Sequence, residues 1–145
     1  MENDYKIWLD RAKSSLAISK NKADEDVFFE DLCFQAQQAV EKAIKGLLIF
    51  YNVEPEKTHN LVSLIKETSK YLTVPDEIND TVILNDYAVQ TRYPGDYTPI
   101  EEDEYGEAIV IAEKCVNWII NKIKTIENKI AANEKNQPYL NSNNS

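Results

Sequence analysis

Residues 26–51 read DVFFEDLCFQAQQAVEKAIKGLLIFY, and this stretch decides the fold. It contains no proline, and its apolar residues recur at every third or fourth position, which predicts one long helix over about residues 26–51. The stripe consists of Phe29, Cys33, Ala36, Val40, Ala43, Leu47 and Phe50. Phe28, Leu32, Ala39 and Ile44 widen it, which is typical of a helix that packs on more than one neighbour.

Further helices are predicted on both sides of this one. The apolar spacing predicts a first helix over about residues 4–20, carrying Trp8, Ala12 and Leu16. Thr58 can cap a short third helix over about 59–71, and Pro75 precedes a fourth over about 76–91. In that fourth helix we expect Ile78, Val82, Ile83, Tyr87 and Val89 to face inward.

The last helix has the clearest start signal. Thr98-Pro99-Ile100-Glu101 matches a capping box with proline at the first helical position. The acidic residues 101–104 are well placed in the first turn of this helix, because the helix dipole favours anions there. We expect this helix to end at about residue 130, and we expect the polar residues 131–145 to form a disordered tail.

These elements predict one all-α domain over residues 1–130, an antiparallel up-and-down bundle of four or five helices. The 145 residues, 43% of them hydrophobic, fit a single domain with its own core. No apolar run is long enough to span a membrane, and the acidic start Met1-Glu2-Asn3-Asp4 does not resemble a signal peptide. We therefore expect a cytoplasmic protein.

Charge limits the classes of partner. The formal net charge is −9, and 13 of the 25 acidic residues but only 6 of the 16 basic residues follow residue 70. Phosphate backbones repel such a surface, so we expect no avid non-specific binding to DNA or other nucleic acids. A local basic site remains compatible with this charge.

The residues that could carry chemistry are few. The chain has one histidine, His59, and two arginines, Arg11 and Arg92. Cys33 and Cys115 lie within helical patterns and are interpreted as core residues. No zinc-binding or glycine-rich phosphate motif is present, so we expect no metal and no cofactor.

Two segments are candidates for a ligand site. Lys57-Thr58-His59-Asn60-Leu61, at a predicted helix start, could bind an anion through free amides, the lysine and the imidazole. The structural alternative is that Thr58 caps the helix and His59 bonds a neighbour. In Arg92-Tyr93-Pro94-Gly95-Asp96-Tyr97, the arginine could hold phosphate and the tyrosines could stack on a base. The alternative there is a helix-end contact with packed tyrosines.

At these residues the sequence resembles the HEPN domain family over about residues 4–125. The resemblance rests on Trp8-Leu9 and Ala12, on residues 34–45 (FQAQQAVEKAIK), and on the two candidate segments in the expected order. It implies a dimerising helical bundle. It also implies that the protein acts beside a minimal nucleotidyltransferase in a two-component, toxin–antitoxin-like module. Many members are metal-independent ribonucleases whose motif is an arginine followed, four to six residues later, by a histidine.

This chain departs from that motif, because Tyr97 stands at the matching distance from Arg92. Tyrosine titrates near 10 and histidine near 6.5, so Tyr97 is a poor general base at neutral pH. Our leading hypothesis is a non-catalytic or weakly catalytic homodimer that binds a nucleotide or RNA and acts with a nucleotidyltransferase. Its binding groove would consist of Arg92, Tyr93, Asp96, Tyr97, Lys57 and His59.

Two alternatives remain open. One is a ribonuclease toxin that uses Arg92 and Tyr97 as catalytic residues. The other is a purely structural interaction module whose acidic second half meets a basic partner. The sequence also leaves open whether His59 and Arg92 share one site.

Overall fold

The computed structural model describes residues 4–22, 24–89, 95 and 98–136. Within these ranges it contains α-helices and one 3-10 helix and no β-strand, which confirms the predicted all-α bundle. The elements are α1 (Asp4–Ser19), α2 (Phe29–Phe50), α3 (Leu61–Thr68), α4 (Asp76–Asn79), the 3-10 helix (Asp80–Ala88) and α5 (Glu102–Asn136).

Helix α2 is the centre of the fold, as its wide apolar stripe predicts. It packs against α1, α3, α5 and the 3-10 helix. The small residues on α2 permit close contact: a Cβ added to Gly46 would lie 3.2 Å from the Trp8 Cβ. Cys33 and Cys115 are free and buried in the core, which confirms their interpretation as core residues.

Helix α1 runs antiparallel to both long helices. The Tyr5 ring meets Phe50 edge-on, with ring centroids 5.1 Å apart, and Lys42 Nζ donates to Ser15 Oγ at 2.8 Å. Against α5, the Tyr5 hydroxyl donates to Glu127 Oε2 at 2.8 Å. Helices α2 and α5 therefore begin at the same end of the bundle, where the rings of Phe29 and Tyr105 stack.

The predicted fourth helix is wrong in type and in its buried face. Only Asp76–Asn79 is α-helical, and Asp80–Ala88 is a 3-10 helix. A 3-10 helix repeats every three residues. Accordingly Thr81 and Leu84 are buried, whereas Val82, Ile83 and Val89, which were expected to face inward, are exposed. Ile78 is buried as expected.

Helix α5 begins later and ends later than predicted. It starts at Glu102, so Thr98-Pro99 precede the helix and do not form the capping box. The Ile100 amide donates instead to Glu30 Oε1 of α2 at 2.8 Å. The helix continues to Asn136, so residues 131–136 of the predicted tail are helical. Residues 137–145 lie outside the described ranges. Among the described helices, none is both long and apolar enough to cross a membrane.

Candidate functional site

A row of polar side chains crosses the apolar middle of α2. Gln37, Glu41 and Lys45 follow each other at intervals of four residues, so they lie on one face of the helix. All three are buried, although charged residues are almost never fully buried unless they are paired. Lys45 Nζ donates to Glu41 Oε2 at 3.1 Å and lies 5.7 Å from the centroid of the Trp8 ring. We call these three residues the polar row.

His59 is attached to the polar row from the loop that precedes α3. Its Nδ1 lies 3.0 Å from Glu41 Oε1 and 3.1 Å from Glu41 Oε2. Gln37 Nε2 donates to the backbone oxygen of His59 at 3.2 Å. The His59 side chain is nevertheless 74% exposed, whereas the Glu41 side chain is 4% exposed. A buried carboxylate therefore holds an accessible imidazole.

The contact through Nδ1 leaves the other ring nitrogen available. Within the described residues, His59 Nε2 has no hydrogen-bond partner. In the neutral ring with Nδ1 protonated, Nε2 accepts a hydrogen bond, and in the charged ring it donates one. An oriented imidazole of this kind can bind an anion or transfer a proton.

The start of α3 is capped differently from the prediction. Asn60, not Thr58, is the N-cap, and its Oδ1 accepts from the Val62 amide at 2.9 Å. Asn85 of the 3-10 helix accepts from the Leu61 amide at 2.8 Å. The amides of Leu61 and Val62 are therefore already hydrogen-bonded within the protein, and they do not form the predicted anion site. His59 is the group of this segment that remains accessible, beside the exposed Lys57.

The predicted site is only partly covered by the structure. Lys57 and His59 are described, but Arg92, Tyr93, Asp96 and Tyr97 lie outside the described residues. The 3-10 helix that leads towards this segment contacts the His59 loop, since Asn85 Nδ2 donates to Asn60 Oδ1 at 3.3 Å. Whether Arg92 and His59 share a site stays a prediction.

A second candidate region lies where α2 and α5 begin. A cavity of about 410 Å³ has carboxylates and apolar side chains in its wall. Val89 and Thr98, on either side of the arginine segment in sequence, both line it. Its acidic members are Glu30, Asp31, Asp86, Glu104 and Glu107. We call this the acidic cavity.

The acidic cavity affects the titration of its neighbours. Burial is the largest cause that raises the pKa of Tyr87 to about 12, and repulsion from neighbouring acidic groups adds to it, namely Cys33, Glu104, Asp86 and Glu107. Burial, followed by Glu104 and Glu30, also raises the pKa of the Cys33 thiol to about 12. Both groups are therefore protonated at neutral pH. No group of side chains in the described part of the chain has the arrangement of a metal site.

Sequence reasoning did not identify the polar row as part of a site. Gln37, Glu41 and Lys45 were noted only in the family resemblance. The sequence pattern that could have revealed these residues is their spacing of four within an otherwise apolar helix. Such a pattern indicates that a polar group of another element packs against this face of α2.

Comparisons with known proteins agree with the fold. The family model described as HEPN domain matches residues 5–124. The crystal structure of TT1696 from Thermus thermophilus is similar, with 26% identity and a TM-score of 0.71 over 84% of this chain and 99% of that one. The structure of ST0689, an archaeal HEPN homologue, has 28% identity and a TM-score of 0.64 over 82% and 97%. None of the curated proteins compared with the chain matched it.

Proposed function

Because this chain belongs to the HEPN domain family, we propose that it is an accessory protein that binds a phosphate group of a nucleotide or RNA. In this proposal it is non-catalytic or weakly catalytic and acts with a nucleotidyltransferase in a two-component, toxin–antitoxin-like module. One observation carries the binding site: Glu41 is buried and holds Nδ1 of the exposed His59.

Orientation and charge both favour binding of an anion at His59. Glu41 and Lys45 form a buried ion pair with no net charge, so they fix His59 without repelling an anion strongly. A protonated His59 donates through Nε2, and hydrogen bonds between charged groups are about twice as strong as neutral ones. Lys57, two residues earlier in the same exposed loop, can add a second positive charge.

The overall charge argues for a short ligand. At a net charge of −9, every additional phosphate away from the site adds repulsion. The ligand is therefore a nucleotide or the end of an RNA rather than a long duplex. Arg92, Tyr93, Asp96 and Tyr97 are proposed to complete the groove, on the basis of the sequence pattern alone.

Titration calorimetry with AMP, ATP and a 5′-phosphorylated RNA pentanucleotide tests this proposal. His59→Ala should weaken binding by about 10- to 150-fold, since a hydrogen bond to a charged group contributes about 1.5–3 kcal/mol. Lys66→Ala is the matched control, because Lys66 is an exposed cation of α3 outside the site. Wild-type protein that binds none of the three ligands, alone or with its partner, would refute the proposal.

The same observation favours a second candidate, which is metal-independent RNA cleavage. An imidazole oriented by a carboxylate is an arrangement used for proton transfer, so His59 could supply the group that Tyr97 cannot. This candidate predicts cleavage of RNA in the presence of EDTA, with activity lost in both His59→Ala and Arg92→Ala. Intact RNA after incubation with the wild-type protein, together with unimpaired growth on expression, would exclude it.

The partner and the dimer are proposals from the family resemblance. A neighbouring reading frame for a nucleotidyltransferase, with a glycine-serine turn followed by paired aspartates, would support the pairing. Co-expression and co-purification would test it directly. Sedimentation equilibrium would determine whether the protein is a homodimer.

A further inference from the structure

We propose that Arg11 of α1 and Lys42 of α2 form a second anion site, which binds a terminal phosphate group. Neither residue belongs to the groove predicted from the sequence, and neither contacts His59. The inference therefore does not depend on the phosphate site proposed at His59.

Two contacts, one on either side of Arg11, hold lysines of α2 against α1. Trp8 lies three residues before Arg11, and Lys45 Nζ is 5.7 Å from the centroid of its ring. Ser15 lies four residues after Arg11, is buried, and accepts a hydrogen bond from Lys42 Nζ at 2.8 Å. Residues three and four apart share one face of a helix. Arg11 therefore lies between the two contacts, on the face of α1 that meets these lysines.

The positive charges on this face are not balanced by carboxylates. Glu41, next to Lys42 in sequence, is already engaged by Lys45 and His59. Within the described ranges, neither Arg11 nor Lys42 forms an ion pair. Two unneutralised cations on one face stand out in a chain whose net charge is −9.

The charges of Arg11 and Lys42 are close enough to repel each other. Burial is the largest cause that lowers the pKa of Lys42, and the Arg11 charge is the next. The attraction of Glu41 opposes both causes but does not reverse the direction. Like charges held together cost free energy, and an anion bound between them would remove this cost.

A purely structural role explains only half of this arrangement. The hydrogen bond from Lys42 to Ser15 connects α2 to α1. Arg11 makes no such connection among the described residues. The neighbouring Asp10 does not neutralise it, because adjacent residues of a helix do not face each other.

The two side chains determine which anion fits. A guanidinium presents a planar fork that donates two hydrogen bonds to one phosphate. An ammonium has three donors, and in the described part of the chain only one donor of Lys42 has a partner. Arg11 is exposed and Lys42 half-buried, so a ligand can reach both. A terminal phosphate, with a charge of about −1.5 to −2 at neutral pH, matches two cations better than a singly charged carboxylate or phosphodiester.

The test is an NMR titration of the full-length protein with pyrophosphate, with AMP and with an RNA pentanucleotide that carries either a 5′-phosphate or a 5′-hydroxyl. Affinity is measured from the amide shifts of residues 8–15. Arg11→Gln and Lys42→Gln should each weaken pyrophosphate binding by about tenfold or more, because each removes a hydrogen bond between charged groups. The glutamine at position 42 keeps a donor for Ser15. Of the two RNAs, the phosphorylated one should bind at least about tenfold more tightly.

Carbon-13 NMR titration of lysine tests the geometry without a ligand. The pKa of Lys42 should rise in Arg11→Gln, because the Arg11 charge helps to lower it. It should also rise when pyrophosphate binds to the wild-type protein, since an anion favours the charged ammonium.

The matched control is Lys13→Gln, which removes an exposed cation of α1 two residues from Arg11 and away from its face. It should change the affinity by less than about twofold and leave the pKa of Lys42 unchanged. His59→Ala should likewise leave the affinity measured at residues 8–15 within about twofold; a tenfold loss would assign the phosphate to the His59 site and overturn the proposal.

Four other results would overturn it: no binding of pyrophosphate, equal losses in Lys13→Gln and Arg11→Gln, equal binding of the two RNAs, or an unchanged pKa of Lys42 in Arg11→Gln. Binding of AMP or of the phosphorylated RNA supports the proposal, and the tighter of the two identifies the source of the phosphate.

Discussion

The middle and the beginning of α2 both carry carboxylates, but in opposite surroundings. In the middle, Glu41 and Lys45 are buried and paired, and they hold His59. At the beginning, Asp31 is exposed beside Glu104 and Glu107 of α5, and the described residues supply no positive partner. The charges of the first arrangement are neutralised within the fold, whereas the carboxylates of Asp31, Glu104 and Glu107 are exposed.

This difference in burial predicts whether a substitution will change stability or binding. Removing one member of a buried ion pair leaves the other charge uncompensated, so the effect appears first as lost stability. Removing an exposed, unpaired carboxylate costs little stability, so any effect appears in binding. Four changes test this contrast, given from the largest expected effect to the smallest.

Glu41→Ala should destabilise the protein by about 3–5 kcal/mol, because Lys45 is then buried without its counter-charge. Urea unfolding followed by circular dichroism measures this change. Glu41→Met/Lys45→Met is the control, since replacing both charges by apolar side chains is often neutral or stabilising. If Glu41→Ala costs less than about 1 kcal/mol, the pair is not as isolated from water as its burial implies.

Gly46→Val perturbs the buried region without removing a charge. The added Cβ would lie 3.2 Å from Trp8 Cβ and 3.3 Å from Leu9 Cδ2, so α1 must shift. We expect a loss of about 1–3 kcal/mol in the same unfolding assay. Gly106→Ala is the counterpart in α5, where nothing lies within 4 Å of an added Cβ. It should stabilise the helix by up to about 1 kcal/mol.

Asn60→Ala acts between the two regions, at the cap of α3. It removes the acceptor for the Val62 amide and the contact with Asn85. Loss of an N-cap costs about 0.5–2 kcal/mol, which thermal unfolding can measure. Thr58→Ala should cost less, because Thr58 does not cap the helix. A larger loss of stability in Thr58→Ala than in Asn60→Ala would identify Thr58 as the cap instead.

Glu104→Gln/Glu107→Gln should change the free energy of unfolding by less than about 0.5 kcal/mol. Relief of repulsion between the carboxylates is offset by a weaker interaction with the α5 dipole. The pKa of Tyr87 should fall below about 12, because these two charges help to raise it. Carbon-13 NMR titration of tyrosine measures this change, and an unchanged pKa would place the charges too far away to act.

The long helices could be predicted because burial on one face fixes their period. Helix α1 was predicted over about 4–20 and α2 over about 26–51, close to Asp4–Ser19 and Phe29–Phe50. Where tertiary contacts compete with local signals, prediction was poorer. Thr98-Pro99 has the local signal of a helix start, but Glu30 from α2 binds the Ile100 amide. In the 3-10 helix, buried residues recur every three positions. A prediction based on the α-helical period therefore assigned the wrong residues to the buried face.

Prediction of the site was limited for a similar reason. His59 was identified because it is the only histidine, but its partner Glu41 lies 18 residues away and belongs to a stripe that looks like core. Sequence spacing cannot show which buried acid meets which loop. The acidic cavity was not predicted. The sequence showed only an excess of acids in the second half, whereas two of the cavity's carboxylates, Glu30 and Asp31, come from α2.

The two buried cysteines can report how often different parts of the fold open. Thiols react as thiolates, and burial raises the pKa of both Cys33 and Cys115, so neither is modified while its helix stays packed. Cys33 is near the start of α2, beside the acidic cavity, whereas Cys115 is deep in α5. The rates at which a thiol reagent labels the two sites would therefore compare local opening at the cavity with opening of the whole bundle.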